Sequence, residues 1–493
     1  MTLPFKNIPS NLRVPLFYAE VDNSRANTAQ AQQRALIIGQ ITSAGAATAN
    51  VPVQTTGVGD AITLGGARSM LASMVSAYRA NDTFGEVWCL PLADDSGGTA
   101  ATGSVQFTAA ATANGTFYLY VAGVRYALPV LTTQTVTQLA TALAALVNAD
   151  VTACVTATSS TGTVTFTAAN KGPAGNDIDI RVNYLGTVGG EVAPAGLTWT
   201  ITAMANGATT PSLTTALANL GSTTFDFIVS PYTDSTSLDA LKGLLSDATG
   251  RWSYTAQLYG HVFAAKRGSV GTLTTFGAAR NDQHCTVMGY NDSPTPSWAW
   301  ASAVAGASAV SLRNDPALPL QTVALQGIQA PPLASRFIMT DRNTLLYTGV
   351  STFSVGDDGT VAIENLVTSY RTNAFGAADN SYLEVETLFT LMYVLRFMQA
   401  AITSKFSRVK LAADGTRFAP GSAVVTPRII KAELVAQYRE LESRGLVQNG
   451  DAFKDGLIVQ QNASNPNRVD VLWPGTLIAQ LRIFAVLAQF RLI

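Results

Sequence analysis

Histidine is nearly missing. His261 and His284 are the only two in 493 residues, so most metal sites and acid–base pairs lack their commonest ligand and proton carrier. Neither stands at a ligand spacing such as His-x-x-x-His. His284 adjoins Cys285, but successive strand residues point to opposite faces, so adjacency makes no Cys/His dyad. Both are read as core or interface histidines. Cysteine is scarce too: Cys89, Cys154 and Cys285 are an odd number at wide spacing, which argues against a disulfide framework or a zinc site and fits a reducing assembly compartment. No Gly-x-x-x-x-Gly-Lys-Ser/Thr loop or Gly-x-Ser-x-Gly elbow occurs, and Gly57-Val58-Gly59 lacks the third glycine of a dinucleotide site. The acidic pairs Asp94-Asp95 and Asp357-Asp358 lie in turn contexts where carboxylates are ordinarily solvated. No enzyme, cofactor or metal is expected.

Charge is the next shortage. Charged residues make up 13% and hydrophobic ones 47%, a balance suited to a protein that covers much of its surface with copies of itself. Lys+Arg 31 against Asp+Glu 32 leaves no field to hold nucleic acid or an anionic membrane, and neither partner is expected. The first residues carry no apolar stretch followed by a small-residue cleavage site, so nothing there marks the chain for secretion. The best candidate for a membrane span, residues 387–402, falls short of about 20 apolar residues and carries Arg396 at its middle. It reads as a buried helix, without membrane insertion.

What is present is a long chain of several grammars, enough for roughly three domains. Residues 8–23 are extended in character, because Pro9 and Pro15 forbid a regular helix, while Phe17, Tyr18 and Val21 offer apolar side chains without a core of their own. Strand patterns at 34–40 and 86–90 flank a helix pattern at 67–79, a βαβ unit. The alternation resumes with strand 225–229, helix 237–245, strand 256–263, helix 273–279 and strand 285–289.

Between these halves, residues 97–207 turn to Thr, Ala and Gly with apolar-aromatic strands around 105–107, 117–121 and 164–166 and one helix at 136–148. The α/β pattern continues afterwards, as expected when a mostly β domain is inserted into a surface loop. Past Leu320 come Leu345-Leu346-Tyr347, then a hairpin pattern with 353–355 and 361–364 around the turn Asp357-Asp358-Gly359. Amphipathic helices at 384–405 and 427–444 and a strand at 456–461 follow. Residues 480–493 are strand-like and have no local partner.

The expected architecture is a multidomain α/β plus α+β protein. It has an N-terminal arm (1–25), a central parallel α/β sheet domain in two parts (26–96 and 208–335), an inserted mostly β decoration domain (97–207), a C-terminal α+β domain (336–479) and a terminal strand (480–493). The two arms are expected to complete the C-terminal domain by exchange between subunits, with Phe17, Tyr18, Val21, Ile483, Ala485, Leu487, Phe490 and Leu492 as the contacting side chains.

One charge feature departs from the neutral background. From Lys405 to Lys431 the residues Lys405, Arg408, Lys410, Arg417, Arg428 and Lys431 face one acid, Asp414. Such a run is either a solvated basic face or a docking surface for an acidic partner.

The C-terminal third carries a family likeness in the stretches 341–351, 358–364 and 367–370, with further matches at 379–383, 410–420 and 467–471 and at the front in 14–20 and 22–24. These resemble the contractile phage tail sheath family in its Mu-like branch. The resemblance implies hexameric rings stacked helically around a tail tube, in a virion tail assembled in the host cytoplasm. It also implies partners in the tail tube protein, the baseplate and the tail terminator, with Lys405, Arg408, Lys410 and Arg417 as tube-facing candidates. A headless contractile bacteriocin or injection particle would share the same motifs. A carbohydrate-binding or adhesive surface protein is the more distant alternative, suggested by the Thr-rich insertion.

Overall fold

A computed structural model describes residues 33–492; the expected arm at 8–23, with Phe17, Tyr18 and Val21, lies outside them. The central sheet has the order Cys285–Tyr290, His261–Arg267, Phe227–Val229, Ala35–Gln40, Val87–Leu92, Val53–Thr55. The first five strands are parallel and the last pairs antiparallel. Counted along the chain, the parallel strands lie 2-1-3-4-5, a doubly wound order.

The parallel strands are mostly apolar and buried along most of their length because both faces are covered. Ile37, Cys89, Phe227, Phe263 and Met288 pack with helices Met70–Arg79 and Ser297–Asn314. Leu36, Ile38, Leu90, Ile228 and Val287 pack on the other side with helices Thr214–Ala218 and Ser235–Leu245.

Two expectations are corrected here. Residues 256–260 are loop and not strand, since Gln257 and Tyr259 take left-handed φ of 51° and 58° and the strand opens at His261. Leu345-Leu346-Tyr347 belong to a helix, Met339–Tyr347. The Ser297–Asn314 helix had no sequence signal. Its Ala, Ser and Gly side chains are buried on every side, leaving no polar face to mark a period. Their smallness lets it approach the Met70–Arg79 helix closely: a Cβ on Gly306 would lie 2.7 Å from the backbone oxygen of Tyr78.

The insertion is built from antiparallel strands. A four-stranded sheet runs Thr198–Ala205, Ala100–Ala109, Thr163–Lys171, Val155–Ser160, and a three-stranded sheet runs Val124–Val130, Gly115–Val121, Ile180–Val182. Helix Val136–Ala149, started by a Thr135/Gln138 capping box, buries Leu139, Leu143 and Val147. The two ends of the insertion meet where Thr99 and Ala208 exchange both backbone hydrogen bonds at 3.2 Å.

Helix Val385–Phe406 joins the central sheet to the C-terminal region. Its length and composition would suffice for a membrane span, yet its first half is buried in the protein core. Phe389 stacks on Phe227 of the sheet at 5.0 Å, and Arg396 pairs with the fully buried carboxylate of Asp226 at 2.5 Å. Burial raises the pKa of Asp226 and Arg396 works against that rise.

Candidate functional site: the assembly surfaces

The C-terminal core forms around helix Pro427–Ser443, whose Ile430, Leu434, Tyr438 and Leu441 face inward at helical spacing. Tyr438 stacks on Phe453 at 3.7 Å, with Trp473 against both. The Tyr438 hydroxyl donates to the carbonyl of Gln448 at 2.6 Å and accepts from the N–H of Thr476 at 3.0 Å, tying two chain crossings to one ring.

On this core lies a hairpin, Ile458–Gln461 with Val469–Leu472, paired Ile458 to Leu472 and Gln461 to Val469. It gains no third strand among the described residues. Ile458, Val471 and Leu472 remain exposed. A two-stranded ribbon is marginal by itself, and its open edges are templates for another strand.

Beyond the short strand Thr476–Leu477 the chain runs without regular structure to residue 492. Ile483, Leu487 and Phe490 are 84%, 86% and 85% exposed, with Phe484, Val486 and Leu492 alongside. Ala485 is exposed too. So many apolar groups in water, on a segment with unpaired backbone, call for a partner.

The basic run divides. Lys405 pairs with Glu433 at 2.6 Å, and Lys431 donates to the carbonyl of Leu457 at 2.7 Å, so both brace the domain itself. Arg408, Lys410 and Arg417 are exposed and form no ion pair among the described residues.

Ligand sites in doubly wound sheets lie beyond the carboxyl ends of the strands, at the point where strand order reverses. Here that point is filled by the root of the insertion. Asp94 accepts from Gln40 Nε2 at 2.7 Å, from Asn170 Nδ2 at 3.0 Å and from the backbone N–H of Lys171 at 3.0 Å. A cavity nearby, lined by Arg68, Met70, Cys154 and Trp298, holds about 10 Å³, room for one water.

Both histidines are core residues. His261 is fully buried, 2.8 Å from the hydroxyl of Thr286, and burial drives its pKa well below the usual value. His284 stacks on Trp252 and its Nε2 meets Asp247 at 2.7 Å. Among the described residues no group of three or more His, Cys, Asp or Glu comes together.

A family model for the phage tail sheath protein central domain matches residues 206–369, and one for the phage tail sheath C-terminal domain matches residues 377–491. Over its full length the chain is 42% identical to the tail sheath protein of the Mu-like prophage FluMu of Haemophilus influenzae, the match covering 100% of both. The chain belongs to the phage tail sheath family.

This sheath protein is thus a structural component of a Mu-like phage tail and not an enzyme. The solved sheath tail protein of Desulfitobacterium hafniense aligns at 12% identity and a TM-score of 0.48, over 95% of this chain and 97% of that one. That of Listeria innocua aligns at 12% and 0.46, over 91% and 92%. A chain of the anti-feeding prophage baseplate aligns at 12% and 0.47, over 98% and 100%. What sequence reasoning missed in the sheath protein is the seating of the Val385–Phe406 helix against the sheet. Its signal was Arg396, the one charge in the middle of an apolar helix.

Proposed function

We propose that the chain polymerises as hexameric rings stacked around the tail tube, joined by exchanged terminal arms, and that contraction of this lattice drives the tube through the host envelope. The observation that supports this reading is a pairing of opposites on one molecule: a hairpin with no third strand, and an extended apolar segment with no partner strand, both among the described residues. Ile483, Ala485 and Leu487 would occupy one face of an added strand, and Phe484, Val486 and Ala488 the other. A strand apolar on both faces is covered on both, as a central strand is. Helix Pro427–Ser443 packs beside strand Ile458–Gln461 and covers one face of such a seat, and the exposed Ile458 and Leu472 leave the other to a neighbouring subunit. Donation from head to tail makes an open helical filament instead of a closed pair.

The unpaired cations Arg408, Lys410 and Arg417, with Lys405 at their margin, face an acidic surface of the tube protein, and the 97–207 insertion decorates the outside. The baseplate triggers contraction, the terminator caps the far end, and assembly takes place in the host cytoplasm before release. The free energy is stored in the lattice, with the extended sheath held as a kinetic trap.

Removal of residues 485–493 tests the arm. A folded, soluble chain by circular dichroism that yields no tubes by sedimentation and electron microscopy is expected; normal tubes would refute it. For the tube contact, the Lys405→Glu, Arg408→Glu, Lys410→Glu triple variant should give sheath that no longer coats the tube, and normal extended tails would remove the electrostatic contact.

A further inference from the structure

One residue interrupts the exposed run at the C-terminus. Arg482 is only 16% exposed, although Leu481 before it and Ile483 after it lie open to solvent. Its Nη2 stands 2.8 Å from Oε1 of Glu386 and 3.2 Å from Oε2 of Glu384, and donates to Oε1 of Gln480 at 2.8 Å. Both glutamates begin the Val385–Phe406 helix, Glu384 as its N-cap and Glu386 in its first turn.

The acidic site is also held by contacts other than the arginine. The Glu386 side chain is fully buried and its Oε1 also accepts from the backbone N–H of Leu320 at 2.7 Å. Next to it, Gln321 donates to the carbonyl of Leu481 at 3.3 Å. A helix N-terminus favours carboxylates, but two of them brought together out of water need a cation. The three contacts converge on the one Nη2, with Nε and Nη1 buried and without a hydrogen-bond partner among the described residues.

We propose that Arg482 is the fixed root of the C-terminal arm, a clamp that ties the chain to the first turn of the Val385–Phe406 helix, so that the donated length begins at residue 483. Pull from a neighbouring subunit then enters this helix, and passes to the central sheet through Phe389 on Phe227 and Arg396 on Asp226. Without the clamp the load would fall on strand Thr476–Leu477, which pairs with Val447–Gln448 over two residues and would peel. This inference rests on the reading of the C-terminal segment as a donated arm.

The test uses the full chain, the substitutions Arg482→Gln and Arg482→Lys, and a chain ending at Arg482. Hydrogen exchange is read before assembly, and tube yield by sedimentation after it. With Arg482→Gln, exchange at residues 476–478, where the N–H groups of Thr476 and Ile478 bond to Tyr438 and Leu446, is expected to quicken about tenfold or more, with residues 427–443 unchanged, and tube yield to fall. Arg482→Lys should lie between. The shortened chain should keep slow exchange at residues 476–478 and give no tubes.

Equal exchange in Arg482→Gln and the parent overturns the clamp. A rise spread over residues 427–443 as well would show a role in folding alone and also overturn it. Tubes of normal yield from the shortened chain would remove the arm itself, a failure told apart by an exchange pattern that stays slow at the root.

Discussion

Between Ala35 and Tyr290 the strands gather into sheets of six, four and three, whereas from Lys410 onward the described strands come only in pairs. The front of the chain builds its hydrogen-bond ladders into wide sheets within one subunit; the pairs at the rear gain no third strand among the described residues. Closed sheets make stability a property of the monomer. Open pairs make it a property of the assembly, because an edge with no partner is satisfied by another chain or by water alone. On the reading proposed above, polymerisation falls mainly to the rear stretch and most of the folding core to the front, and substitutions should separate them.

The largest effect on folding is expected in the closed half. Phe227 is fully buried between Phe263 and Phe389, so Phe227→Ala should lower the unfolding free energy by about 3–5 kcal/mol in urea titration. A loss under about 1 kcal/mol would mean that the sheet and the Val385–Phe406 helix do not share one core. Gly306→Ala places its Cβ against the backbone of Tyr78 and should cost about 1–3 kcal/mol. An unchanged melting temperature would show that the two helices can part.

Acid gives the next effect. Burial holds the His261 imidazole well below its ordinary pKa, so the unfolded chain takes up a proton that the folded one refuses. Stability from this residue is complete above about pH 6.5 and is lost by about 1.4 kcal/mol per unit as pH falls toward the folded pKa. Urea unfolding between pH 8 and pH 5 should show a shallower loss for His261→Gln than for the parent, and parallel slopes would exclude the buried neutral imidazole.

The smallest effect on folding should come from the open half. Ile458→Lys with Leu472→Lys changes two exposed side chains and should move the unfolding free energy by no more than about 0.5 kcal/mol. Tubes should nonetheless disappear from the sedimented fraction. If tubes persist, this hairpin is not the acceptor edge.

The closed half was the more legible in sequence. Runs such as Leu36-Ile37-Ile38 and Phe227-Ile228-Val229 are apolar at every position because both faces of the sheet are covered, and such runs stand out unaided. Residues 256–260 misled because they carry strand-like side chains while Gln257 and Tyr259 turn the backbone left-handed, which composition does not reveal. The Ser297–Asn314 helix escaped for the opposite reason, being so thoroughly enclosed that it has no polar stripe.

In the open half, the apolar character of residues 480–493 was readable, since an exposed Phe490 and Leu492 need a partner whatever the fold. The clamp at Arg482 was not. Its partner Glu384 lies 98 residues earlier, and only the folded chain brings the two together.

The hydrogen-bonded pair of Thr99 and Ala208 has a consequence for variation. Partners in such a pair sit about 5.5 Å apart between Cα atoms, so the chain leaves and re-enters the central domain at nearly one point, while the inserted domain also docks on that domain through Arg68 on Val155, Met70 on Asn170, Ser297 on Asp177 and Arg181 on Asp292. A domain grafted there would have to span that short distance and also satisfy the groups that these contacts now cover. The junction fixes where the chain crosses; the docked face fixes how the domain is held, so its length between residues 99 and 208 is freer to vary than the side chains at that face.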